Sequence, residues 1–152
     1  MLGDDAANRQ YRSLLHFDTS ALPDTAVIIS ARLRIRRQAL VGKNPFNILG
    51  GLVADIRQPF FGGGPGLVSG DFQTLAGSSA VARFGASPAG PWYSAPLNDI
   101  GKAGINRMGT TQFRLRFTLD DNNDQLADFM KFYSGDAGAA NRPQLLIQYY
   151  VP

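Results

Sequence analysis

Apolar and polar residues alternate with a period of two along several stretches of this chain. That pattern restricts it to a fold built from half-buried strands. Ala31, Leu33 and Ile35 fall on one side of an extended segment, and Arg32, Arg34 and Arg36 fall on the other. Phe113, Leu115, Phe117 and Leu119 alternate in the same way with Arg114, Arg116 and Thr118. Leu145, Ile147, Tyr149 and Val151 alternate with Leu146, Gln148 and Tyr150. Segments at about 11–17, 26–37, 48–57, 80–85, 91–97 and 128–134 complete the predicted strands.

Composition points the same way. All twelve acids are aspartate, and lysine stands only at Lys43, Lys102 and Lys131. Helices draw on Glu and Lys for their wet faces, so this scarcity, beside 17 Gly and 9 Pro, argues for strands and turns. Gly42-Lys-Asn-Pro45, Phe61-Gly-Gly-Gly-Pro-Gly66, Ala86-Ser-Pro-Ala-Gly-Pro91 and Gly135-Asp-Ala-Gly138 are the turn-rich connections. Only Leu97 to Ile105 suits a helical turn, with Asn98 or Asp99 as its N-cap. The length fits one domain, residues 1–152, burying roughly 70% of its unfolded surface. The expected fold is an all-β sandwich with Leu15, Phe17, Ala31, Leu33, Ile35, Phe113, Leu115, Phe117, Leu145 and Ile147 in its core.

Several functions are poorly served by these residues. Apolar runs fall far short of the ~20 residues of a membrane helix, so no membrane span is expected. Met1-Leu-Gly-Asp-Asp has neither the basic nor the apolar region of a signal peptide. Without cysteine there is no disulfide, zinc thiolate or thiol nucleophile. His16 is alone in a strand motif with no nucleophile beside it. Ser134-Gly-Asp136 lacks the glycine pattern of a nucleophile elbow. Gly62 to Gly66 lacks the Lys-Ser/Thr of a phosphate loop. The expectation is a non-enzyme. A net charge of +3, carried mostly by arginine, favours a polyanion. Double-stranded nucleic acid fits poorly, because no recognition helix is in prospect.

Three groups of residues could carry binding. Arg32, Arg34 and Arg36, with Arg114 and Arg116, form rows of guanidinium groups that can grip carboxylate or sulfate bidentately. If both rows lay in one sheet, like charges would face each other unless an anion intervened. The alternative is an outer face whose arginines pair with Asp55 or Asp128. Trp92 and Tyr93, between Pro-flanked turns, are candidates for stacking on sugar rings, with Phe60 and Phe61 heading the glycine loop. Asp120, Asn122 and Asp124 have the alternate-residue spacing of a calcium loop, continued by Asp128. Gln125 and Lys131 stand where an EF-hand has Gly and Glu, and the loop reads equally as a solvated hairpin turn.

The segments Tyr11-Arg-Ser-Leu-Leu-His-Phe-Asp-Thr-Ser-Ala-Leu-Pro23 and Ala31-Arg-Leu-Arg-Ile-Arg36 open the recognisable part of the chain. Phe132-Tyr-Ser-Gly-Asp136 and Arg142-Pro-Gln-Leu-Leu-Ile-Gln-Tyr149 close it. Together they resemble the DNRLRE-type domains, related to disaggregatase repeats and to one group of carbohydrate-binding modules of secreted prokaryotic proteins. The resemblance implies a jelly-roll sandwich with the first and last motifs as neighbouring core strands. It implies a non-catalytic, extracellular or cell-surface module that holds polysaccharide, with acidic glycans favoured by the arginines. The competing expectation is a structural or adhesive surface domain with no sugar site. The Trp-rich middle segment of such domains is reduced here to Trp92. One or two strands usually precede the first motif, where this sequence has ten residues. An uncovered edge beside 11–17 is therefore expected, closed by homo-oligomerisation or left as a groove.

Overall fold

The alternating segments become strands. The computed structural model describes residues 1–152 and contains β1 (Leu2–Asp4), β2 (Gln10–Tyr11), β3 (Ser13–Asp18), β4 (Val27–Val41) and β5 (Leu52–Arg57). After these come β6 (Ser78–Phe84), β7 (Trp92–Pro96), β8 (Thr110–Phe117), β9 (Asp128–Phe132) and β10 (Gln144–Tyr150). Two short helices interrupt them. In α1 (Pro45–Ile48) the Asn44 side chain caps the first turn, and in α2 (Asp99–Ala103) that of Asn98 accepts from the Gly101 N–H at 2.8 Å. No helix is long and apolar enough to cross a membrane.

Two antiparallel sheets face each other. One has the order β3-β8-β5-β6. The other is organised by the 15-residue β4, paired with β7, β9 and β10. Odd residues of β4 turn their backbone toward β7: the Leu97 N–H reaches Ala31 O, and the Arg37 N–H reaches Pro91 O. Even residues turn the opposite way, where Arg36 O accepts from the Tyr133 N–H. β10 pairs with Val27–Arg34 and β9 with Arg37–Val41, so these two strands follow one another along that second flank. From β3 onward the chain winds between sheets as in a jelly roll. The sequence motifs are only partly neighbours. Ala31–Arg34 pairs directly with β10, whereas the first motif, in β3, lies in the opposite sheet.

A jelly roll has eight strands in two sheets, and here one position is half filled. Beyond β9 lies β1, with Leu2 opposite Met130 and Asp4 opposite Asp128. Beyond β10 there is no strand, and β3, across the sandwich, pairs only with β8. Between these two edges runs a groove of about 790 Å³ lined by Leu15, Phe17, Arg142 and Leu145. The first ten residues thus supply a strand the sequence did not predict, yet the edge at β3 stays open. Gly3 makes β1 possible: its φ is +134°, and a Cβ there would lie 2.2 Å from Asp128 O.

The core follows from the same geometry. Ala31, Leu33, Ile35, Phe113, Leu115 and Phe117 are buried as expected. Leu15, Phe17, Leu145 and Ile147 only pack against the core from its open side. Alternation in β10 also fails at its end. A bulge between Gln148 and Tyr149 shifts the register and leaves Tyr149 and Val151 exposed.

Candidate functional site

Because Leu33 and Ile35 point inward, Arg32, Arg34 and Arg36 stand in a row on the outer face of β4. Register decides what surrounds them. Arg36 is opposite Trp92 and Arg34 opposite Ser94 on β7, while Gln144 of β10 faces Arg34 from the other side. The Arg34 guanidinium lies 4.6 Å over the Trp92 ring and donates to Gln144 Oε1 at 3.0 Å. Arg36 lies 5.8 Å over the Tyr133 ring, donates to Ala140 O at 3.2 Å and bonds Asn141 Oδ1. Arg32 donates to Ser94 Oγ at 3.2 Å. All these partners are neutral, and none of the three arginines is in an ion pair.

The other predicted binding residues lie elsewhere. Tyr93 is a core residue, 1% exposed, stacked on Phe46 at 5.4 Å and edge-on to Phe132 at 5.7 Å. It alternates with Trp92 on β7, so only one of the pair can face water. Arg114 and Arg116 sit on β8, in the other sheet, so the two arginine rows never oppose each other. Their charge is satisfied internally. Arg114 Nη2 donates to Asp55 Oδ2 at 3.1 Å, and Arg116 Nε donates to the same oxygen at 3.0 Å. Burial alone would raise the Asp55 carboxyl, but Arg116, the Ala80 N–H and Arg114 outweigh it and hold it below the usual range. The connection between β5 and β6 folds over this face. It puts buried Phe61 4.6 Å beneath the Arg114 guanidinium and supplies carbonyls of Asp71, Phe72 and Thr74 to Arg114 Nη1. Phe60 stacks on the exposed His16 at 6.0 Å, and Thr110 Oγ1 is 3.3 Å from His16 Nε2.

The acidic loop behaves first as a turn. Asn122 Nδ2 donates to Asp124 Oδ2 at 3.1 Å, and Asp124 Oδ1 accepts the Leu126 N–H at 2.9 Å. Asp120 turns away toward Arg12, 3.7 Å distant. The four expected metal ligands therefore do not converge, and no three His, Cys, Asp or Glu side chains gather as a chelating group. Asp128 instead points inward from β9, opposite Asp4 of β1, and both carboxylates are buried. Asp4 Oδ2 accepts the Asn122 N–H at 3.3 Å, and Asp128 Oδ1 accepts the Lys43 N–H. Asp4 Oδ1 and Asp128 Oδ2 have no partner. Burial pushes the Asp4 carboxyl up, the Asn122 N–H opposes this, and the charges of Asp128, Asp124 and Asp121 add to the rise.

Tyr133, Asn141 and Gln144 join the arginine face without having been singled out in the sequence. Tyr133 follows β9 and is placed by its N–H bond to Arg36 O, Gln144 is placed opposite Arg34 by the β4–β10 register, and Asn141 lies in the connection between them. No family model, curated protein or solved structure matches this chain.

Proposed function

We propose that this domain is a non-catalytic module that binds acidic polysaccharide on the outer face of β4, β7 and β10. One observation carries the reading: three guanidinium groups in a row, every second residue of one strand, have no carboxylate partner and lie among Trp92 and Tyr133. Successive arginines on one face are about 6.6 Å apart, a spacing at which charges on an extended glycan can be met one after another. Arg34 and Arg36 lie over rings, and all three arginines bond their protein neighbours through Nη1 alone, which leaves each Nε–Nη2 edge for bidentate contact with carboxylate or sulfate. On the neighbouring strand the small Ser94 and Pro96 stand opposite Arg34 and Arg32. The resemblance to secreted carbohydrate-binding domains supports the same reading, with an extracellular or cell-surface setting in a larger protein. A glycan array tests it. Hits among uronate-bearing or sulfated glycans are expected, and silence across the array would overturn it.

A second reading has its own support in the groove between β3 and β10. Two unpaired strand edges flanking half-buried Leu15, Phe17 and Leu145 suit a structural domain that associates with a second copy edge to edge. Light scattering would then give a mass that rises from one to two chains with concentration. A monomer at all concentrations would leave the glycan reading alone.

A further inference from the structure

The geometry points to a calcium site centred on Asp4 and Asp128, a pair that the alternate spacing of the acidic loop does not single out. The two residues are directly opposite on antiparallel β1 and β9, and they are 0% and 1% exposed. Each uses one carboxylate oxygen on a backbone N–H and leaves the other, Asp4 Oδ1 and Asp128 Oδ2, buried and unpartnered. Buried polar atoms are ordinarily satisfied, and two adjacent carboxylates that cannot reach water repel each other. A cation between them resolves both problems.

The surroundings reinforce this. The loop carrying Asp121 and Asp124 folds over the pair through the Asn122 N–H. The turn at Gly42 and Lys43 closes the other side through the Lys43 N–H. Gly42 is required there: its φ is +67°, and a Cβ would come 2.2 Å from both Ala127 O and Asp128 Oδ1. The Lys43 ammonium is taken up by Asp124 at 3.3 Å and makes no contact with Asp4 or Asp128. The two free carboxylate oxygens are hard donors, and the remaining ligands of an ion held there would be water. Calcium accepts six to eight such ligands in flexible geometry, whereas magnesium demands a near-ideal octahedron. The ion would tie β1, the loop and β9 together at the closed end of the half-filled strand position.

Thermal unfolding of chelator-treated protein, titrated with calcium chloride, tests the site. At calcium about a hundredfold above its dissociation constant, the melting temperature should rise by about 5–10 °C. Asp4→Asn and Asp128→Asn should each abolish the rise, while Asp120→Asn, which alters only the partner of Arg12, should keep it. If Asp4→Asn does not fold, Asp128→Asn and direct titration calorimetry of the unaltered protein carry the test. No shift and no binding heat with calcium would overturn the proposal. So would a shift lost in Asp120→Asn and retained in Asp4→Asn. Asp4 and Asp128 are buried beneath this sheet whereas Arg32, Arg34 and Arg36 stand on its outer face, so failure here leaves the glycan reading standing.

Discussion

Arg114 and Asp55 form an ion pair at 3.1 Å with side chains only 7% and 1% exposed, and Arg116 shares the same carboxylate from the edge of the pair. One buried negative charge therefore holds two guanidinium groups on the outer face of the four-stranded sheet. Asp55→Asn removes it while leaving both arginines in place. Breaking such a pair by removing one partner costs about 3–5 kcal/mol, because an uncompensated buried charge remains. Denaturant unfolding should show that loss. A change below about 1 kcal/mol would mean that the arginines find other partners.

The pH dependence follows from the same carboxylate. Asp55 is held below its ordinary range in the folded protein, so the unfolded chain binds its proton more readily. The stabilisation is fully present above the unfolded value, about 3.9, and is lost as pH falls through the lower folded value. Acid unfolding followed by circular dichroism should therefore have a steeper limb below pH 4 in the unaltered protein than in Asp55→Asn. Parallel limbs would contradict this.

The sandwich and much of its core were legible from alternation alone, since inward positions of β4 and β8 are fixed by a period of two. The arginine row was legible for the same reason. What the sequence hid is pairing. Whether Arg114 meets Arg34 or Asp55 depends on which sheet β8 joins, and alternation is blind to that. Trp92 and Tyr93 looked equivalent as a dipeptide, yet a strand sends neighbours to opposite faces and only register says which. The Asp4–Asp128 pair joins residues more than 120 positions apart through a three-residue strand too short to give a periodic signal.

The open side predicts unequal costs for similar substitutions. Phe113 is fully buried, whereas Phe17 packs on the core from beside the groove and lies 6.0 Å edge-on to Phe113. Phe113→Ala should cost about 3–5 kcal/mol. Phe17→Ala should cost less, about 1–2 kcal/mol, because part of the side chain already meets solvent. Equal losses would indicate that the groove is filled in solution.

Gly3 tests whether the first strand belongs to the fold. Gly3→Ala must leave the φ of +134° or clash with Asp128 O and the Phe129 backbone. The expected cost is at least the 1–3 kcal/mol typical of forced backbone strain. Hydrogen exchange should speed up at β1 and along β9 before it does in β8. An unchanged exchange pattern would show that β1 contributes little.

Affinity electrophoresis tests the central claim most directly. The protein would be run through gels containing alginate, pectin or a neutral cellulose derivative, beside the triple variant R32Q, R34Q, R36Q. The account predicts retardation in the acidic gels only, weakening as salt screens the contacts, reduced in Trp92→Ala and lost in the triple variant. Equal mobility of the unaltered protein in every gel, or undiminished retardation of the triple variant, would contradict it.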